Sequence, residues 1–472
     1  MKKIYLIAGL AATLTLGTTA CSDFLDKVPS TALPTDEAVT SVRDLENAVN
    51  GVAYYLTYNR MSYVSEFGLY ADLTSGNFAI IKDNNQSSEL TRYQSTQNSS
   101  LPDVGYEVFY KALAQANMAL SNIDKIEVTE AEKATVDDFH GQLLAWRGLL
   151  HFDLARMFSR IPTTVSNLDE ANSGIVLSTQ VYEPTYLGSR TTLKETYDQI
   201  IKDLTDAMPL LSKDKNTGYL NYWAALGLRA RAYLYLGKYA EALADAKEVM
   251  ADSPYTLYTI AEYPNVWTQE GSNEAMFELL TTDNYNAQRN SLGYYTDASG
   301  YAECGFNTES KLYQYLSSTP NDVRSKLIKD QSAATFDAPG YYPAKYPGRN
   351  GSIYVNNPKI IRLSEIYLIA AEAAYHISGG TEAAKYINLL RQNRITDYQE
   401  AASVTLDDIL FEYEVELFAE NQISFAYWRN KKSVYPTAIP EKEMKYDDYR
   451  TILPLPKREL DLNKNLSQNP NY

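Results

Sequence analysis

Apolar residues recur at three- and four-residue spacing over several long stretches, the pattern of helices with one face buried. Residues 106–125 (YEVFYKALAQANMALSNIDK) show it first. Residues 136–158 follow, with Leu143, Leu144, Leu150 and Leu154. Over 191–211 the residues Leu193, Tyr197, Ile200, Ile201, Leu204 and Ala207 fall on one stripe. Thr191 and Thr192 precede that stripe and offer a hydroxyl cap for the free amides of its first turn.

Residues 222–254 read as two helices in close contact, because small residues recur among the apolar ones. Tyr233, Gly237, Tyr239, Ala242 and Pro254 match the tetratricopeptide helix–turn–helix pattern, with Gly237 in the turn. Residues 366–394 repeat it, since Tyr375, Gly379 and Ala384 keep the mutual spacing of Tyr233, Gly237 and Ala242. Two matches at the same offsets favour a repeat scaffold over one isolated hairpin. Between them the period is lost. Residues 255–358 are rich in Tyr, Asn, Gly, Ser and Pro and predict a long loop-rich insertion, the kind of segment that often carries function. The expected fold is mostly α: a tetratricopeptide-like scaffold of helical hairpins with a large irregular ligand-binding half. Residues 35–472 are expected to form a single domain, with helical repeats near 106–160, 191–254 and 360–430.

The N-terminus follows another pattern. Lys2 and Lys3 precede an uncharged, largely apolar run, Ile4 to Leu16. That is shorter than the roughly 20 residues a bilayer span needs, so it predicts a signal peptide. Gly17-Thr18-Thr19-Ala20 and then Cys21 resemble a bacterial lipobox, although Thr18 stands where Leu is usual. The expectation is a signal peptide over 1–20, lipidation of Cys21, and a tether over 21–34 with Pro29 and Pro34. Two or more acyl chains would hold such a chain on a membrane.

Charge removes one class of partner. The chain carries a formal −16, and loss of Lys2 and Lys3 with the leader makes it −18. So acidic a protein is not expected to bind nucleic acid, which needs Lys and Arg to displace counterions. After Cys21 only Cys304 remains, so no internal disulfide is expected and the fold must stand on its core.

Signals for chemistry are sparse. His140, His151 and His376 lie in helical segments, and His151 and His376, among apolar residues, read as packed or capping rather than catalytic. The motifs HExxH, Walker A, GxGxxG and GxSxG are missing. Asp137-Asp138 and Asp407-Asp408 read as helix-start acids rather than a catalytic pair. Asp83-Asn84-Asn85-Gln86 could ligate calcium through oxygen, but a solvated loop is the stronger reading. No cofactor and no metal are expected. Tyrosine stands out, with 40 Tyr against 13 Phe. Its flat apolar face and water-tolerant hydroxyl suit a surface that stacks sugar rings or grips peptides.

Several stretches together resemble the SusD/RagB family of Bacteroidetes surface lipoproteins: CSDFLDKVP after the lipobox, AWRGLLHFDLARMFSRIP at 145–162, YWAALGLRARAYLYLGKYAEAL at 222–243, RLSEIYLIAAEA at 362–373 and LPLPKRELDLNKNLSQNPNY at 453–472. One motif departs. Where the family usually shows an Arg and an Asp three residues apart, this chain has Ile423 and Ala426, as if apolar residues had replaced an ion pair. The resemblance implies an outer-membrane, cell-surface lipoprotein that captures oligosaccharides, passes them to a SusC-like TonB-dependent transporter and catalyses nothing. A RagB-like peptide or glycopeptide binder is the alternative, and a loop-borne hydrolase a remote one. The ligand site is expected in two segments outside the repeats: Tyr70, Asp72, Asn77, Phe78, Tyr93 and Gln94 from one, and Asn284, Tyr285, Tyr294, Tyr295, Tyr301 and Phe306 from the other.

Overall fold

The computed structural model describes residues 39–183 and 185–472. The leader, Cys21 and the tether lie outside the described residues.

Among the described residues the fold is carried chiefly by α1 (Val42–Tyr58), α2 (Ser100–Leu120), α3 (Lys133–Phe158), α4 (Leu193–Ala207), α5 (Tyr222–Tyr235), α6 (Tyr239–Asp252), α7 (Leu363–Ser378), α8 (Gly380–Gln392), α9 (Leu406–Leu417) and α10 (Ile423–Arg429). From α1 to α8 each packs on the next, although α6 and α7 are separated by the whole insertion. Their starts are written locally. Ser41 with Asp44, Thr192 with Glu195 and Thr405 with Asp408 form reciprocal capping boxes ahead of α1, α4 and α9. Asp137 and Asp138 differ from expectation, because α3 begins earlier, at Lys133. Asp138 instead accepts the Ser212 amide at 2.8 Å.

The two tetratricopeptide-like hairpins close in the same way. Gly237 and Gly379 take positive φ, +69° and +81°, a conformation a side chain resists. The mostly α class is thus the observed one, and the few strands are short.

Those strands fasten the irregular segments. β2 (Ala275–Glu278) pairs antiparallel with β6 (Lys359–Arg362), drawing the two ends of the insertion together. β1 (Phe78–Ala79) pairs with β3 (Gly305–Phe306), setting Phe78 opposite Phe306. β4 (Ile328–Gln331) and β5 (Gly340–Pro343) form a third pair within the insertion.

Under these segments lies a buried charge network that the sequence did not suggest. Glu416 of α9 meets Arg324, Arg362 and Arg394, none of them exposed beyond 1%. Glu274, Glu412, Glu420, Asp322 and Lys345 complete the network. Burial pushes the Glu416 carboxyl up, but the three guanidinium groups outweigh this and hold it well below the usual carboxylate range. Ile423 and Ala426 are fully buried on α10, packed in the apolar core.

Candidate functional site

The β1–β3 pairing brings together the two segments expected to hold ligand, 70–94 and 283–306. Most of the expected side chains face inward. Tyr70 packs on Phe425 with ring centroids 5.8 Å apart, and Phe78 packs on Phe306 at 5.2 Å. Tyr93 is buried with its hydroxyl on the Thr74 carbonyl. The Tyr295 hydroxyl donates to Glu66 at 2.7 Å, beneath the surface. Asp72 is fully buried, and its carboxylate accepts the amides of Ala419 at 2.7 Å and Asn421 at 2.8 Å. Burial pushes this carboxyl up to about 8. Ala419 and Asn421 both hold positive φ, so Asp72 fixes a left-handed turn between α9 and α10. Asn77 is 7% exposed and belongs to a separate cavity. Tyr70, Asp72, Phe78, Tyr93, Tyr295 and Phe306 are therefore framework residues. Irregular segments must bury something to stay ordered, and in these segments the rings serve that purpose.

Gln94, Asn284 and Tyr285 reach solvent, while Tyr294 and Tyr301 are half-buried. Tyr285 is 52% exposed and meets Tyr54 of α1 edge-on, centroids 5.3 Å apart. Tyr58, one turn further along α1, lies 4.7 Å from Tyr54. Arg43, Asn47, Asn50, Tyr54 and Tyr58 lie along the outer side of α1, so the two rings occupy positions where polar side chains would be ordinary. Tyr294 meets Tyr301 at 4.9 Å and Tyr354 at 5.7 Å, a second aromatic group within the insertion. Polar groups border it. Asn84 donates to the Tyr301 carbonyl at 2.6 Å, and Arg60 donates to the Gln86 carbonyl at 3.0 Å. Tyr54, Tyr58 and Tyr354 were not singled out from the sequence. The first two were legible there as an i, i+4 pair on the polar side of a helix.

The Asp83–Gln86 loop is committed elsewhere. Asp83 pairs with Arg92, and Glu303 accepts the amides of Asn84 at 2.8 Å and Gln86 at 3.0 Å. Among the described residues no group of three or more His, Cys, Asp or Glu is placed to hold a metal ion. His151 is fully buried, and its Nε2 accepts the Ser178 amide at 3.0 Å. Burial lowers this imidazole to about 3, so it is neutral. His376 stacks on Tyr239 at 4.1 Å. Cys304 is buried, and burial raises its thiol well above its ordinary value, which leaves it unreactive.

Another groove follows α2, where cavities of about 370 and 430 Å³ adjoin. Tyr182 and Tyr186 line it, stacked on each other at 4.1 Å, so each ring has one face covered by the other.

Helical hairpins behind a loop-rich face that exposes tyrosines define a repeat-scaffold protein whose open surface is suited to stacking a polar ligand. A family profile described as "Starch-binding associating with outer membrane" matches residues 23–234, and one described as "SusD family" matches 238–472. A solved structure from Bacteroides vulgatus ATCC 8482 is 30% identical, with TM-score 0.85, covering 92% of this chain and 99% of its own. SusD-like protein P2 of Formosa agariphila is 26% identical, with all of both chains covered. Surface glycan-binding protein A of Bacteroides thetaiotaomicron, solved with laminarihexaose, shares the fold at TM-score 0.72 and 18% identity, covering 92% of this chain and 100% of its own. The chain belongs to the SusD family.

Proposed function

We propose that this chain is a surface glycan-binding lipoprotein that captures oligosaccharides on the Tyr54–Tyr58–Tyr285 face and passes them to a SusC-like TonB-dependent transporter, without catalysis. The observation that carries the reading is the exposure of Tyr54, Tyr58 and Tyr285, at 44%, 38% and 52%, with Tyr54 in ring contact with each of the other two. An exposed ring gains little for folding. Presented in a cluster, such rings offer sugar rings an apolar face with a phenol hydroxyl at the edge. Family membership supports the outer-membrane location and the glycan ligand, and the same fold carries laminarihexaose in the B. thetaiotaomicron protein. Cys21 supplies the anchor in this reading.

The mature chain should bind at least one oligosaccharide in a panel that includes laminarihexaose, and no peptide in a matched panel. Binding of peptides alone would instead favour the RagB-like alternative. Gentle detergent extraction should bring down a large β-barrel with the protein, and recovery of the chain alone would count against the transporter step.

A further inference from the structure

Glu414 is a buried acid that neither the charge network nor the tyrosine face uses. Glu412 and Glu416, two residues to either side on α9, turn toward the arginines. A helix places the residue between them on the opposite side. There Glu414, 7% exposed, lines a cavity of about 400 Å³ together with Asn77, Asn307, Lys311, Tyr427 and Tyr435. The Tyr427 and Asn77 side chains face its carboxyl and oppose the effect of burial on it.

Among the described residues Tyr435 is the most exposed large apolar side chain after Leu462, at 65%. Its ring has no aromatic or hydrogen-bond partner among the described residues, yet its backbone is held firmly. Gly76, at φ +88°, lies so close that a Cβ there would stand 2.3 Å from the Tyr435 carbonyl oxygen. Next to it, Val434 is buried and exchanges backbone hydrogen bonds with Met444 at 3.1 and 2.8 Å. An unpartnered ring thus stands on a fixed backbone beside a polar cavity of ligand size.

We propose that this cavity is a second ligand site, distinct from the Tyr54–Tyr58–Tyr285 face, that takes one neutral, hydroxyl-rich ring such as a single sugar unit. The Tyr435 ring supplies a stacking face, and Glu414, Asn77 and Asn307 supply acceptors and donors for hydroxyl groups. Glu309 matches Lys311 in the lining, so the cavity offers an anionic ligand no net positive charge. Burial pushes the Glu414 carboxyl up to about 7, so near neutral pH it can donate as well as accept.

Saturation-transfer NMR on the full mature chain tests this, with glucose, galactose, mannose and N-acetylglucosamine as probes at millimolar concentration. At least one sugar should give a signal. Tyr435→Ala should weaken its binding about five-fold, and Glu414→Gln should change it as well. The paired change Tyr54→Ala/Tyr285→Ala should leave that signal in place, so failure here is separable from failure at the tyrosine face. Circular dichroism establishes that each variant is folded. No signal from any of the sugars, a signal indifferent to Tyr435→Ala, or one lost only in the paired variant would overturn the proposal.

Discussion

The Tyr285 ring stands edge-on to the Tyr54 ring, centroids 5.3 Å apart at 80°, and so joins the insertion to the first helix at the surface. Both rings remain about half exposed, at 52% and 44%. Such a contact adds on the order of 1 kcal/mol at most. Tyr285→Ala should therefore shift a urea unfolding midpoint only slightly. A loss of several kcal/mol would make the ring structural and remove it from the ligand face.

The network around Glu416 should behave in the opposite way. Removing its charge leaves Arg324, Arg362 and Arg394 buried with fewer partners. Glu416→Gln should cost about 3–5 kcal/mol, the usual penalty for breaking a buried ion pair. The carboxyl is held below its ordinary 4.5, so its contribution is present above that pH and is lost as pH falls toward the folded-state value. Wild-type stability should fall in acid, and the variant's should fall less. Denaturant titrations at pH 3 and pH 7 check both.

Glu414 carries the reverse sign. Its carboxyl is raised from 4.5 to about 7, so the native state holds a proton that the unfolded chain has released. Its contribution is complete below pH 4.5 and lost as pH rises through 7. Glu414→Gln imitates the protonated form. It should be neutral at pH 4 and stabilising at pH 8, by about 3 kcal/mol at most. Equal pH dependence in both proteins would show that the carboxyl titrates normally.

Much of the helical half was legible because its signals are local. The shared offset of Gly237 and Gly379 marked two turns that both require positive φ. Thr192 and the pair Asp407-Asp408 marked helix starts through short-range capping and charge. The proposed ligand face was less legible, for a physical reason. Val42–Tyr58 was not among the expected helices, although its period sets Tyr54 and Tyr58 apart from its buried stripe. Residues 70–94 and 283–306 have no such period, and Tyr70 and Tyr295 look no different in sequence from Tyr285. Their burial depends on Phe425 and Glu66, partners that only the folded chain supplies. The charge network was hidden likewise, since Arg324, Arg362 and Arg394 converge on Glu416 from separate elements.

The proposed anchoring rests on Cys21, which lies before the described residues. Cys21→Ala should leave the protein exported but free of the membrane, because the acyl chains supply the affinity. Metabolic labelling with a radioactive fatty acid should mark the wild type and not the variant. Equal label in both would move lipidation elsewhere.

Calorimetry on the paired variant Tyr54→Ala/Tyr285→Ala tests the central claim most directly, using the oligosaccharide that the wild type binds best. Two stacking faces at on the order of 1 kcal/mol each predict a loss of about thirty-fold in affinity, with circular dichroism unchanged. Unchanged affinity in a folded variant would contradict the account and place the ligand elsewhere on the molecule.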